Sequence, residues 1–111
     1  MADGSQFPPA GVSAEEGAER RAARAALFST EILRRIDAIA RASGTGDRAG
    51  IVAEANALAA GALALGLSAL ATEAAETERA ARSGDAARMA EALRVLQCGV
   101  HDALALLRRG G

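Results

Sequence analysis

The sequence predicts an all-α protein, an antiparallel four-helix bundle preceded by a flexible N-terminal tail. The first observation is composition: half of the 111 residues are hydrophobic, only 2 are phenylalanine, and tryptophan and tyrosine are absent. Alanine, leucine, arginine and glutamate dominate and favour helix, whereas β-branched residues are too few to build a sheet. The second observation is that short glycine-containing turns separate four amphipathic segments, and short connections favour antiparallel neighbours.

The N-terminal residues 1–12 are predicted to form the flexible tail because they contain several chain-breaking residues: Gly4, Pro8, Pro9 and Gly11. Residues 13–111 are predicted to form the bundle, a length that supports one domain with one core. The first residues lack the basic and apolar stretches of an export signal. The apolar run at Ile51–Leu67 is shorter than the roughly 20 residues of a membrane span. We therefore expect a cytoplasmic protein without membrane contact.

The first helix is predicted to begin at a capping box, in which Ser13 caps the helix and Glu16 reaches back to its amide. It extends to about Ala42. Apolar residues at helical spacing indicate its buried face: Ala25, Phe28, Ile32, Ile36 and Ile39. A bend near Ser29–Thr30 is an alternative to one continuous helix.

The second helix, from about residue 48 to residue 65, is the least polar segment of the chain. Asp47 is predicted to cap it. Within its central part only Glu54 and Asn56 interrupt a run of apolar residues and glycine. A helix that is apolar on nearly every side is either enclosed or uses part of its surface for a partner. Which of the two holds decides the functional interpretation.

The third and fourth helices show clearer amphipathic patterns. The third is predicted to start with Ser68 as its cap and to end near Arg82. Its inner face carries Leu70, Ala74, Thr77 and Ala81, and its solvent side carries Glu73, Glu76, Glu78, Arg79 and Arg82. After the turn at Ser83–Asp85, the fourth helix extends from Ala86 to about Arg109. Its apolar residues recur every three or four positions and predict a packing seam of Met89, Leu93, Leu96, Val100, Ala103 and Leu107.

The charges and the reactive side chains exclude several classes of function. The net charge of −1 gives no basic surface for nucleic acid. Cys98 and His101 supply two metal ligands, whereas a structural metal site needs four, so we expect neither a metal nor a cofactor. The glycines beside Thr45 lack the lysine of a phosphate-binding loop. No catalytic set of nucleophile, histidine and carboxylate is present in a recognisable pattern, so the sequence predicts no enzyme.

The second helix contains the segment Ala55–Ala60, which reads Ala-Asn-Ala-Leu-Ala-Ala and is followed by the turn Leu65–Gly66. The histidine-containing phosphotransfer (HPt) family has Ala-His-x-Leu-Lys-Gly at this place, followed by a Leu-Gly turn. The turns Gly46–Asp47 and Ser83–Asp85 also match in position. Over about residues 25–109 the chain therefore resembles the HPt family, small helical bundles that relay phosphoryl groups between receiver domains in bacterial two-component signalling.

The resemblance also shows what this chain lacks. The phosphoaccepting histidine of the family falls on Asn56, its lysine on Ala59 and its glycine on Ala60. An amide nitrogen is not a nucleophile because its lone pair is delocalised into the carbonyl, so Asn56 cannot replace the imidazole. The resemblance implies a protein that binds a response-regulator receiver domain or a histidine kinase as a competitor or adaptor. The residues expected to contact this partner are Val52, Asn56, Ala59, Ala60 and Leu63.

Two alternatives remain open at the level of sequence. The first is a structural or self-associating bundle, a monomer or weak dimer in which the apolar face of the second helix pairs with another copy. The second is an active phosphotransfer protein that uses His101, which follows the seam residue Val100. The interpretation of His101 favoured by its position is a histidine at the boundary of the core, without a chemical role.

Overall fold

The computed structural model describes residues 14–110, which form four α-helices joined by short turns. The helices are α1 (Ala14–Thr45), α2 (Arg48–Ala64), α3 (Ser68–Ser83) and α4 (Ala86–Gly110). This part of the chain contains no strand, so the predicted all-α four-helix class is confirmed. The flexible tail predicted for residues 1–12 and the predicted cap Ser13 lie outside the described residues.

The helices pack against one another in chain order, and α1 closes the ring against α4. Consecutive helices are antiparallel, as expected from turns of only a few residues. Two contacts between α1 and α2 show the register: Phe28 lies against Gly61, and Arg35 pairs with Glu54 at 2.7 Å. Since α2 has α1 on one side and α3 on the other, it stands diagonally opposite α4, and its outer surface faces solvent.

The turns form as the sequence predicts. Each contains a glycine whose φ lies between 73° and 75°, a left-handed conformation that glycine adopts without a Cβ clash: Gly46, Gly66 and Gly84. The carboxylate of Asp47 accepts a hydrogen bond of 2.9 Å from the amide of Gly50 and caps α2. Asp85 accepts one of 3.1 Å from the amide of Arg88 at the start of α4. Both acidic caps satisfy amides that a helix start otherwise leaves unpaired.

The prediction that Ser68 caps α3 is wrong. The capping position belongs to Leu67, which makes no side-chain capping bond, and Ser68 is already the first helical residue. The carbonyl of Leu67 accepts a hydrogen bond of 3.0 Å from the amide of Ala71. The leucine side chain packs against the core. The start of α3 is therefore fixed by burial of an apolar side chain, and no hydroxyl group caps the helix.

The longest helix, α1, is continuous over 32 residues. The hydroxyls of Ser29 and Thr30 donate to backbone carbonyls four residues earlier, at 2.9 and 3.3 Å, and the helix continues through both residues without a break. It ends at Thr45, later than the predicted Ala42, because the left-handed glycine that follows it is Gly46. Its first part is exposed to solvent.

The core lies between all four helices and is rich in alanine. The fully enclosed large side chains are Ile32, Ile39, Leu58, Leu96 and Thr77. The hydroxyl of Thr77 is satisfied by the backbone carbonyl of Glu73 at 2.9 Å. All six residues of the predicted α4 seam are buried or pack against this core. Alanine lets the helix axes approach closely, although each alanine removes little apolar area from water.

Candidate functional site

The apolar surface of α2 is divided between the core and solvent. The inner side is fully buried or nearly so: Ile51, Ala55, Leu58 and Ala62. On the outer side Asn56, Ala60 and Leu63 are exposed, and 68% of Leu63 is accessible to solvent. The helix is therefore neither wholly enclosed nor wholly free. It keeps an apolar outer surface that no other part of the described chain covers.

The structure brings the five sequence-predicted residues onto one side of α2. We call this surface the α2 face, and it comprises Val52, Asn56, Ala59, Ala60 and Leu63. Two members, Val52 and Ala59, are half-buried and pack against the core, so they form its base beside α3. The other three project to solvent. Helical spacing of three and four residues explains why they share this side.

The polar centre of the α2 face is held by α3. The amide nitrogen Nδ2 of Asn56 donates to Oε1 of Glu78 at 3.2 Å. The second carboxylate oxygen of Glu78 accepts from Nη2 of Arg82 at 2.8 Å and from its Nε at 3.2 Å. The hydrogen bonds from Arg82 and then from Asn56 lower the pKa of Glu78, helped by the charges of Arg82 and Arg79. The ionised carboxylate therefore fixes the donor end of the Asn56 side chain.

The chemistry available at the α2 face is non-covalent. Position 56 offers an amide that donates and accepts hydrogen bonds, and positions 59 and 60 offer only methyl groups. Neither a nucleophilic imidazole nor a lysine stands on this side of α2. The surface therefore offers apolar contact and hydrogen bonding, and its central side chain is an amide without a nucleophilic nitrogen.

The other border of the α2 face is the groove between α1 and α2. A Cβ placed on Gly61 would lie 2.6 Å from Cε1 of Phe28, so the phenylalanine ring rests directly on the α2 backbone. Beside this contact is an open groove of about 490 Å³, lined by Arg24, Leu27, Phe28, Thr30, Glu31, Arg34, Gly61 and Leu65. Sequence reasoning missed this groove and the bond from Asn56 to Glu78. The groove could have been anticipated from one signal in the sequence, a glycine in an apolar helix that faces a phenylalanine predicted to lie in the core.

His101 stands away from the α2 face, on α4. Its side chain is 86% exposed, and its Nδ1 lies 3.9 Å from Oδ1 of Asp102. The predicted position at the boundary of the core is therefore wrong, because the ring points to solvent. Cys98 is also exposed. Within residues 14–110 no group of three or more histidine, cysteine, aspartate and glutamate side chains is arranged to hold a metal.

Glu73, predicted on the solvent side of α3, packs against α4 instead. Its Oε1 is enclosed and has no hydrogen-bond partner among the described residues. The carboxylate occupies the space above Gly99 that any Cβ would fill, so the absence of a side chain there admits it. Burial raises the pKa of Glu73, and the negative charge of Asp102 raises it further. This contact costs stability and offers no route to the α2 face.

None of the helices in the described part of the chain is long and apolar enough to cross a membrane. No family model, curated protein or solved structure matches the chain. The HPt resemblance therefore rests on the residues and spacings of this sequence.

Proposed function

We propose that this chain is an HPt-like docking protein of a two-component phosphorelay, which binds receiver domains or a histidine kinase without accepting a phosphoryl group. The observation that carries the proposal is the exposure of Asn56 at the middle of α2, with its amide fixed by Glu78. In the family that the sequence resembles, this is the position of the reactive histidine. The proposal includes a cytoplasmic location, where such partners act.

The α2 face has the properties of a docking surface. Ala60 and Ala59 are small, so the backbone of a partner can approach α2 closely. Leu63 supplies an exposed apolar side chain large enough to act as an anchor. The polar group formed by Asn56 and Glu78 lies beside these residues and gives a partner a point of hydrogen bonding. Apolar contact with a few oriented polar groups is the usual composition of a protein interface.

A protein that binds a receiver domain without phosphotransfer would regulate signalling by occupying the surface that the receiver uses for its phosphodonor. A receiver domain bound to the α2 face would be withheld from an active phosphodonor, which makes the protein a competitor. A chain that bound a kinase and a receiver in turn would act as an adaptor. Both roles use the same surface, and neither needs a nucleophile at position 56.

The experiment is a titration of 15N-labelled protein with receiver domains of the same cell, followed by NMR. We expect saturable shifts of the amides of Val52, Asn56, Ala60 and Leu63. Ala60→Arg, which places a long charged side chain in the centre of the α2 face, should abolish them. Ala40→Arg is the matched control, because Ala40 is an exposed alanine near the C-terminal end of α1. Absence of shifts with every receiver and kinase domain would contradict the proposal.

Self-association through the α2 face is the second candidate function, and the exposure of Leu63 favours it. Sedimentation separates the two: a dimer that dissociates on Leu63→Asn would mean that a second copy covers this face. Acid-labile phosphate on the wild-type chain after incubation with a phosphorylated receiver would contradict a non-phosphorylatable protein. Loss of that phosphate in His101→Ala would then assign phosphotransfer to His101.

A further inference from the structure

On the surface of α2, only small side chains separate the α2 face from the groove on α1. Around the helix, the positions between Ala60 and Gly61 are occupied by Ala57 and Ala64, and Gly61 itself has no side chain. Gly61 and Leu65 form the α2 wall of the groove, and Leu27 and Phe28 belong to its α1 wall. A partner lying on Ala60 can therefore extend into the groove without meeting a ridge.

Two strongly exposed leucines lie at the same level on either side of this junction. Phe28 opposes Gly61 and Arg35 opposes Glu54, so the antiparallel register places Leu27 level with Ala62. Leu27 is 72% exposed and Leu63 is 68% exposed. A single exposed leucine is ordinary on a protein surface. Two at one level, separated by alanine and glycine, form an apolar band that crosses from α1 to α2.

The α1 side of this band is basic. Arg24 lines the groove and, within residues 14–110, forms no ion pair or side-chain hydrogen bond. Arg34 lines its other end with a side chain that is 71% exposed, and it pairs with Glu31, the only acidic residue of the lining. The five residues of the α2 face carry no formal charge, and the ionised Glu78 beside Asn56 is paired with Arg82.

We propose that the partner docks through an acidic amphipathic helix that lies across the α2 face and the α1 groove, with apolar anchors on Leu27 and Leu63 and acidic groups toward Arg24 and Arg34. This inference rests on the proposed function, because the partner is the one that binds the α2 face. The choice of an acidic partner follows from the unpaired arginine and the uncharged face beside it. The choice of a helix follows from the groove between two packed helices, which suits an apolar helical face.

The test extends the NMR titration with variants of α1, using a receiver domain as the probe. The amides of Leu27 and Thr30 should shift together with that of Asn56. Arg24→Glu should weaken the Kd about tenfold, and about 0.5 M salt should reduce the difference between this variant and the wild type. Leu27→Ala should weaken binding several-fold. Circular dichroism would establish that each variant keeps the helical fold.

Matched controls exist for both substitutions. Leu33 is 53% exposed on the same helix but is not part of the groove, so Leu33→Ala should leave the Kd unchanged. Arg94 on α4 has a side chain that is 65% exposed, and Arg94→Glu should also leave it unchanged. Binding that weakens equally with Arg94→Glu and Arg24→Glu would overturn the inference, since the effect would then be one of net charge.

The outcomes separate the two proposals. Shifts on the α2 face alone, with a Kd indifferent to Arg24→Glu and Leu27→Ala, would overturn the α1 groove and leave the docking function standing. Shifts in the groove alone, with no change at Asn56 or Leu63, would overturn the docking function and the continuous surface with it. Absence of shifts with every receiver domain and kinase would overturn both. Shifts on both surfaces, weakened by both α1 variants but by neither control, are the expected result.

Discussion

The inner side of α2 is buried and its outer side is exposed to solvent, although the two sides have almost the same composition. Leu58 is completely buried, whereas Leu63, one and a half turns later on the same helix, is 68% exposed. Both sides consist mainly of alanine and leucine, so α2 has almost no amphipathic character. The comparison teaches that hydrophobicity alone does not orient such a helix. The two polar residues of its apolar run, Glu54 and Asn56, supply the orientation by contacting α1 and α3.

The largest expected effect comes from shortening both leucines, which tests the difference in burial between the two sides of α2. Leu58→Ala should lower the free energy of unfolding by about 2–5 kcal/mol, because it leaves a cavity in a closely packed core. Leu63→Ala should change it by less than about 0.5 kcal/mol, since an exposed side chain loses little burial. Chemical denaturation measures both values. Equal losses for the two variants would show that α2 is rotated from the orientation described.

A second test concerns the contact that sets the distance between α1 and α2. Gly61→Ala should lower the free energy of unfolding by about 1–2 kcal/mol, because the added methyl displaces the ring of Phe28 and this outweighs the gain in helix propensity. Gly44→Ala is the control: no atom lies near its Cβ position, and it should stabilise by about 0.5–1 kcal/mol. Thermal and chemical denaturation of the pair would measure the difference, and a stabilising Gly61→Ala would refute tight packing at this point.

The same contrast between two sides of a helix extends to the carboxylates of α3. Glu73→Gln should stabilise the protein at neutral pH by about 1 kcal/mol, a value reduced because the rest of the side chain is partly exposed. The raised pKa of Glu73 means that the folded state holds its proton more tightly than the unfolded state. Relative to the glutamine variant, the wild type should therefore lose stability as pH rises through that raised pKa. Denaturation curves at several pH values measure this, and a constant difference across them would contradict the enclosed carboxylate.

Glu78 should show the smallest effect, with the opposite sign. Its lowered pKa means that the ionised form is favoured in the folded state. Whatever stability Glu78 adds relative to Glu78→Gln is present above its unfolded pKa and is lost as pH falls through the lowered one. The more informative readout is the side-chain amide signal of Asn56, which should shift in Glu78→Gln and stay unchanged in Glu73→Gln.

The sequence anticipated most of the fold because the relevant signals are local. The acidic caps Asp47 and Asp85 act on amides three residues away, and glycine at each turn permits a left-handed residue. Two of the misplacements, those of Ser68 and Glu73, arose where packing overrides local preference. Leu67 takes the capping position through burial, and Glu73 turns inward because Gly99, on another helix, leaves space for it.

The candidate site was predictable only in part. Spacing placed Val52, Asn56, Ala59, Ala60 and Leu63 on one side of a helix, since that follows from helical periodicity. The anchoring of Asn56 by Glu78 joins residues of two helices, and the groove beside Leu27 joins α1 to α2. No pattern within one segment encodes either contact. Both depend on which helices become neighbours and in which register they pack.

By itself, the sequence determined that this protein is helical, roughly where its helices begin and end, and that position 56 carries an asparagine and no histidine. These properties depend on residue type and on interactions within a few positions. The tertiary structure decided which side of α2 meets solvent, which carboxylate of α3 is paired and which is enclosed, and that Leu27 lies level with the α2 face. An alanine- and leucine-rich helix is apolar on every side, so only packing against α1 and α3 distinguishes the surface it buries from the surface it offers to a partner.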